Sequence, residues 1–136
     1  MPLDIGAPYN PKALLADQLT DLIMADINFM SGDEHLELAR VAIGHFFYEP
    51  NRLKDEVAQL QAQEKAMHRW LKAAKKDNRM DFDDIDQVVE ELDSLVKGQC
   101  FWPQLFKLED PLTEARKLQI AKGVTELILC RYGVNT

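Results

Sequence analysis

Between Arg52 and Lys76 the chain runs for twenty-five residues without a glycine or proline. Leu53, Val57, Leu60, Met67, Leu71 and Ala74 recur there at helical steps, with Glu64 filling the place in that series between Leu60 and Met67. The spacing predicts one helix about 37 Å long at 1.5 Å per residue, with an apolar stripe narrow enough for a single partner helix. A helix of that length needs neighbours of similar length, so the run predicts an elongated bundle. Glu64 has two readings. It lies at the edge where a straight helix drifts from a heptad, or it pairs with a base and sets the register of an antiparallel partner, within the chain or across a dimer.

The remaining punctuation is also helical, and no segment alternates as a strand would. Asn10-Pro11 opens a helix to about Met30 with Leu15, Leu19, Leu22, Ile23, Ile27 and Met30 on one face. Ser31-Gly32-Asp33-Glu34 is a capping box for a second helix, to about Tyr48. Its wide apolar arc of Leu38, Val41, Ala42, Ile43, Phe46 and Phe47 predicts a central, buried helix. Asn51 caps the long third helix, and Asp77-Asn78-Arg79 turns it into a fourth, capped by Asp81 and stopped by Gly98. Asp110-Pro111 opens the fifth, which Gly133 stops. Gly123 inside that helix costs up to about 1 kcal/mol relative to alanine, and marks a close approach of another helix. The expectation is an all-α fold: one domain over residues 1–136, irregular over 1–10, forming a bundle of about five helices around one long hairpin.

Charge narrows the function classes. The chain carries a net charge of −7, and so repels polyanions and argues against direct nucleic-acid binding. No apolar run approaches a membrane span and no signal-peptide pattern opens the chain, so a cytoplasmic protein with no membrane contact is expected. Cys100 and Cys130 stand far apart and are read as reduced thiols, Cys130 as a small core hydrophobe.

Seven carboxylates fall between Asp81 and Asp93, and Asp83, Asp86, Glu90 and Asp93 share one helical stripe. Such a ladder suits a basic partner surface. It equally suits a plain structural role, because Arg69, Lys72, Lys75 and Lys76 end the preceding helix, and bases at one C-terminus and acids at the next N-terminus both complement the helix dipoles. Asp33-Glu34-His35-Leu36-Glu37 and Glu90-Glu91-Leu92-Asp93 resemble the E-E-x-x-E and E-x-x-D pairs through which all-α nucleotide pyrophosphatases bind Mg²⁺. Glu34, Glu37, Glu90 and Asp93 would then be the ligands, although an intervening helix separates the two halves. His35, His45 and His68 form no metal-binding pair, and no nucleophile or phosphate-loop motif occurs. Cys100-Phe101-Trp102-Pro103-Gln104-Leu105-Phe106 crowds aromatics into a connector that either plugs the bundle or presents an anchor.

These readings combine into a non-enzymatic acidic interaction protein without a cofactor, of the immunity, antitoxin-like or phage-inhibitor kind. It would bind a basic protein through Asp83, Asp86, Glu90 and Asp93, with Trp70, Trp102 and Phe106 as apolar anchors. The alternatives are the Mg²⁺-dependent hydrolase and a structural subunit that forms a homodimer through the helix at 52–76.

Overall fold

The computed structural model describes residues 8–61 and 65–134, and their regular elements are all helices apart from one isolated bridge between Met80 and Gly133. In chain order these are α1 (Leu15–Met30), α2 (Asp33–Phe46), α3 (Pro50–Gln61), α4 (Ala66–Lys76), α5 (Ile85–Cys100), α6 (Trp102–Leu105) and α7 (Glu114–Tyr132). The all-α bundle is therefore as expected. Its core is built from the apolar stripes of four of them. Leu19, Ile23 and Ile27 of α1 meet Val88, Leu92 and Val96 of α5 and Ile120, Val124 and Ile128 of α7, with Trp70, Leu71 and Ala74 of α4 closing one side. Each fully buried aliphatic side chain contributes about 1.5–3 kcal/mol. Thr125, buried in this layer, shares a hydrogen bond of 2.9 Å with Thr20, which satisfies both hydroxyls across the α1–α7 seam. A smaller cluster of Leu36, Phe101 and Leu105 joins α2 to α6 beside the main core.

Both ends of the described chain are tied to the turn between α4 and α5. Asn78 adopts the left-handed conformation there (φ 60°). The Arg79 guanidinium donates to the Ala13 carbonyl at 2.7 Å and to the Tyr9 hydroxyl at 3.1 Å, while that hydroxyl donates to Asp77 at 2.6 Å. On the other side Asp81 N–H donates to Tyr132 O at 2.8 Å and Val134 N–H to Arg79 O at 3.1 Å, bracketing the Met80–Gly133 bridge.

Several expectations need correction. The run at 52–76 is not one helix: α3 and α4 are separate, and Lys65 before α4 is extended (φ −107°, ψ 171°), its N–H donating to His68 Nδ1 at 3.3 Å. The two halves serve different neighbours, since α3 lies against α2 whereas α4 packs on α5 and the core. Periodicity alone is blind to that change of partner. Glu64 and residues 1–7 lie outside the described residues, as do the side chains of Val57 and Leu60.

Helix α2 is peripheral, not central: Leu36 is its buried residue, and Val41 is 74% exposed. A wide apolar arc implies burial only if the chain supplies partners on both sides, and α1, α3 and α6 leave one side uncovered. The caps shift too. Asn10 accepts from Lys12 N–H in a turn ahead of α1, Asp84 instead of Asp81 caps α5, and Thr113 instead of Asp110 caps α7. Gly98 does not stop α5, which runs on to Cys100. A Cβ on Gly123 would meet nothing within 4 Å, so no helix among the described residues approaches it closely.

A Cβ at Gly133 would lie 2.5 Å from Leu129 O, whereas one at Gly44, in exposed α2, would meet open space. Gly133→Ala should therefore lower stability by about 1–3 kcal/mol by breaking the C-terminal tie. Gly44→Ala should raise it by about 0.5–1 kcal/mol through helix propensity. Urea unfolding followed by circular dichroism measures both, and equal effects would contradict this packing.

Candidate functional site

Helices α5 and α7 run antiparallel, since Phe82 just before α5 meets Tyr132 at the end of α7 edge-to-face at 6.3 Å. Their apolar stripes face α1, which leaves a shared outer edge. A groove of about 580 Å³ opens along it, lined by Glu91, Ser94 and Leu95 from α5 and Leu127, Ile128 and Arg131 from α7. Leu127 is 58% exposed there. Gly98, one helical turn beyond Ser94, and Gly123, one turn before Leu127, both have open space where a side chain would be. At one end Glu91 accepts from the Tyr132 hydroxyl at 2.5 Å and lies 3.4 Å from Arg131. The hydrogen bond to Glu91 raises the Tyr132 pKa and keeps the phenol protonated. The groove thus combines exposed aliphatic surface, small residues and a fixed charge cluster.

The residues singled out from sequence are scattered by comparison. Asp83, Asp86 and Glu90 are exposed, but Asp93 is half-buried and faces Asp26 of α1. Burial, then the charge of Asp93, raises the Asp26 carboxyl to about 6, with Lys65 opposing. Asp84 is occupied as a cap, and Asp86 approaches His68 of α4 at 3.9 Å. At the basic end of α4, Lys75 donates to Phe82 O and sits over the Phe82 ring, while Arg79 holds the segment before α1. These two bases are engaged by backbone oxygen, not by the acids of α5. Among the described residues no group of three or more His, Cys, Asp or Glu side chains is placed to hold a metal ion, so Glu34, Glu37, Glu90 and Asp93 do not converge. Glu37 instead lies 3.6 Å from Arg40.

Trp70 is buried, its indole N–H donating to Gln18 at 3.3 Å, and offers no surface anchor. The connector splits between its two readings. Phe101 and Leu105 turn inward, whereas Trp102 (44% exposed) and Phe106 (60% exposed) stack outside at 6.2 Å. Both cysteines are free: Cys100 is buried and its thiol pushed up to about 11 by burial, while Cys130 is exposed, not the core hydrophobe expected. His35 packs between Phe29 and Phe101, and burial lowers its pKa. Sequence reasoning missed Gln104, buried within the same aromatic connector. The signal was a lone amide among apolar residues, and the aromatics around it drew the attention.

Residues 17–134 match the family model of the AefR-like transcriptional repressor, C-terminal domain. In three dimensions the chain is similar to a TetR family transcriptional regulator from Pseudomonas syringae pv. tomato str. DC3000, with a TM-score of 0.77 and 27% identity. That similarity covers 93% of this chain and 65% of the regulator, so the chain spans less than two thirds of the protein it matches. None of the curated proteins compared with the chain matches it.

These findings overturn the reading as an acidic inhibitor of a basic protein partner, and with it the Mg²⁺ hydrolase and the structural subunit joined through 52–76. The exclusion of nucleic acid falls as well, because a transcriptional repressor acts at DNA. Net charge misled because it describes this stretch of chain, and a C-terminal regulatory domain need not itself carry the contact with phosphates.

The burial of Asp26, with the charge of Asp93 adding to it, makes stability pH-dependent. Because burial raises the Asp26 pKa to about 6, the folded state holds a proton that the unfolded state releases near pH 4. The destabilisation is absent below pH 4, grows from there to about pH 6, and is complete above it. Asp26→Asn should thus raise stability by up to about 3 kcal/mol at pH 7.5 and change little at pH 4. Thermal melts at the two pH values check this, and an equal effect at both would contradict it.

Proposed function

The chain belongs to the family of AefR-like transcriptional repressor C-terminal domains, and from that premise we propose that it is the regulatory part of a ligand-responsive transcriptional repressor. In this reading two copies pair, a small molecule binds within the helical domain, and its binding alters the hold of a separate DNA-contacting part on an operator. The domain acts by binding and not by catalysis, in the cytoplasm where the operator is accessible. No helix among the described residues is long and apolar enough to cross a membrane, which suits that setting.

The observation that carries the pairing is the outer α5–α7 face. An isologous dimer needs one self-complementary patch that contributes to both sides of a two-fold axis. Ser94, Gly98 and Gly123 let two backbones come close, Leu127 supplies apolar area, and Glu91 with Arg131 places both charge signs on the same patch. The position of Gly123 then has a reason: it carries a helix-propensity cost where a second copy, not a helix of the same chain, is to approach.

Leu127→Glu places a carboxylate in the middle of this face without touching the core. It should weaken self-association at least tenfold in sedimentation equilibrium, since burying a charge without a partner is unfavourable, and leave helical content by circular dichroism unchanged. The intact regulator bearing it should lose operator retention in a gel-shift assay. A Leu127→Glu protein that associates as well as the parent would remove this face from the proposal.

A further inference from the structure

Gln104 is 6% exposed, and among the described residues neither its side-chain oxygen nor its nitrogen has a hydrogen-bond partner. A primary amide offers two donors and an acceptor, and protein interiors almost always satisfy such groups. Gln104 stands in α6 between Phe101 and Leu105, and the cluster they form with Leu36, Ala39 and Ile43 is apolar. A leucine or methionine would fill the same place without the desolvation cost.

Helix α2 covers this cluster in an unusual way. Arg40 donates through Nε to Leu105 O at 2.9 Å and through Nη2 to Gln104 O at 3.0 Å. The main-chain carbonyl of Gln104 is thus served from α2 while its side-chain amide is not. The opposite side of α2 is exposed, so the helix is held through one face and through the small cluster. Elements held this way open at lower cost than the core, and α2 lies outside the layer that α1, α5 and α7 form.

We propose that Gln104 is the polar recognition group for a neutral effector bound under α2, and that this effector carries a carboxamide-type group, a primary amide, lactam or imide, on an apolar or aromatic body. An adjacent C=O and N–H on the effector pair with the N–H and C=O of Gln104 in two parallel bonds, and its apolar part lies against Leu36, Phe101 and Leu105. A carboxylate is disfavoured: it supplies no donor for the Gln104 oxygen, and Arg40 already directs two of its nitrogens at backbone carbonyls. The inference rests on the reading of this domain as effector-binding and names the chemistry of that site.

Two readouts on the 136-residue chain test it. Gln104→Met, close in shape, should melt about 3–5 °C higher than the parent, because it removes an amide that the fold leaves unsatisfied. Millimolar benzamide should raise the parent Tm and shift the Gln104 side-chain NH₂ resonances in a ¹⁵N–¹H spectrum, while leaving the Tm of Gln104→Met unchanged, and benzoate should do neither. A Gln104→Met chain no more stable than the parent would show the amide already satisfied and overturn the proposal. Silence of the Gln104 resonances toward benzamide, or an equal benzamide shift of Tm in both proteins, would overturn it too. An intact regulator that binds DNA while benzamide leaves Gln104 unmoved keeps the proposed function and loses this inference. A Gln104 response in an intact regulator that binds no DNA does the reverse.

Discussion

The packing of α1 against α7 is the constraint on which the other features depend. Leu19, Ile23 and Ile27 are inaccessible to solvent, and they sit against Ile120, Ala121, Val124 and Ile128. Their spacings of four and three put each set on one helical stripe, and Thr20 with Thr125 closes the seam without a stranded hydroxyl. Once this seam is formed, α5 lies beside it through Val88, Leu92 and Val96, and α4 closes one side. The turn at Asp77–Arg79 then gathers both ends of the described chain, through Tyr9 and Ala13 on one side and Tyr132 to Val134 on the other.

That arrangement decides what is left over. With one stripe of α7 committed to α1 and α5 packed beside it, their common outer edge faces away from the core, and it carries Ser94, Gly98, Gly123 and Leu127. With α2 outside the main core, the apolar cluster beside it adjoins Gln104, a buried amide without a hydrogen-bond partner among the described residues. The two leftover features suit different tasks: one is a grooved edge of small and aliphatic residues, the other a covered spot with a single polar group. A regulator that pairs with itself and responds to a small molecule has use for both.

How much of this was legible in the sequence differs by element. The stripe of α1 was, and α5 and α7 were as helices, because each commits apolar positions to one core and the period is sampled over four turns or more. The apolar arc of α2 points the wrong way, since a sequence shows how wide a face is but not whether the chain supplies enough neighbours to cover it. The run at 52–76 looks like one helix in sequence because α3 and α4 continue the same period while serving different partners, and Lys65 carries no breaker signal. The carboxylates of α5 were visible as a stripe, yet Asp84 caps, Glu91 serves Tyr132, and Asp93 turns toward Asp26. Gly123 stands out in the sequence as a glycine inside a helix, but no described helix of this chain comes close to it. Function lay further off, because an acidic chain without a recognisable catalytic motif leaves little chemistry in its residue types.

The proposed pairing brings the outer α5–α7 edge against a second copy of itself. Cys130 is exposed, one helical turn past Leu127, while Cys100 is buried, so a short-armed bismaleimide addresses a single position per chain. Pairing through this edge predicts a covalent dimer linked Cys130 to Cys130 at low protein concentration. A chain whose Cys130 reacts fully with a monofunctional maleimide but never yields that linked pair would contradict it.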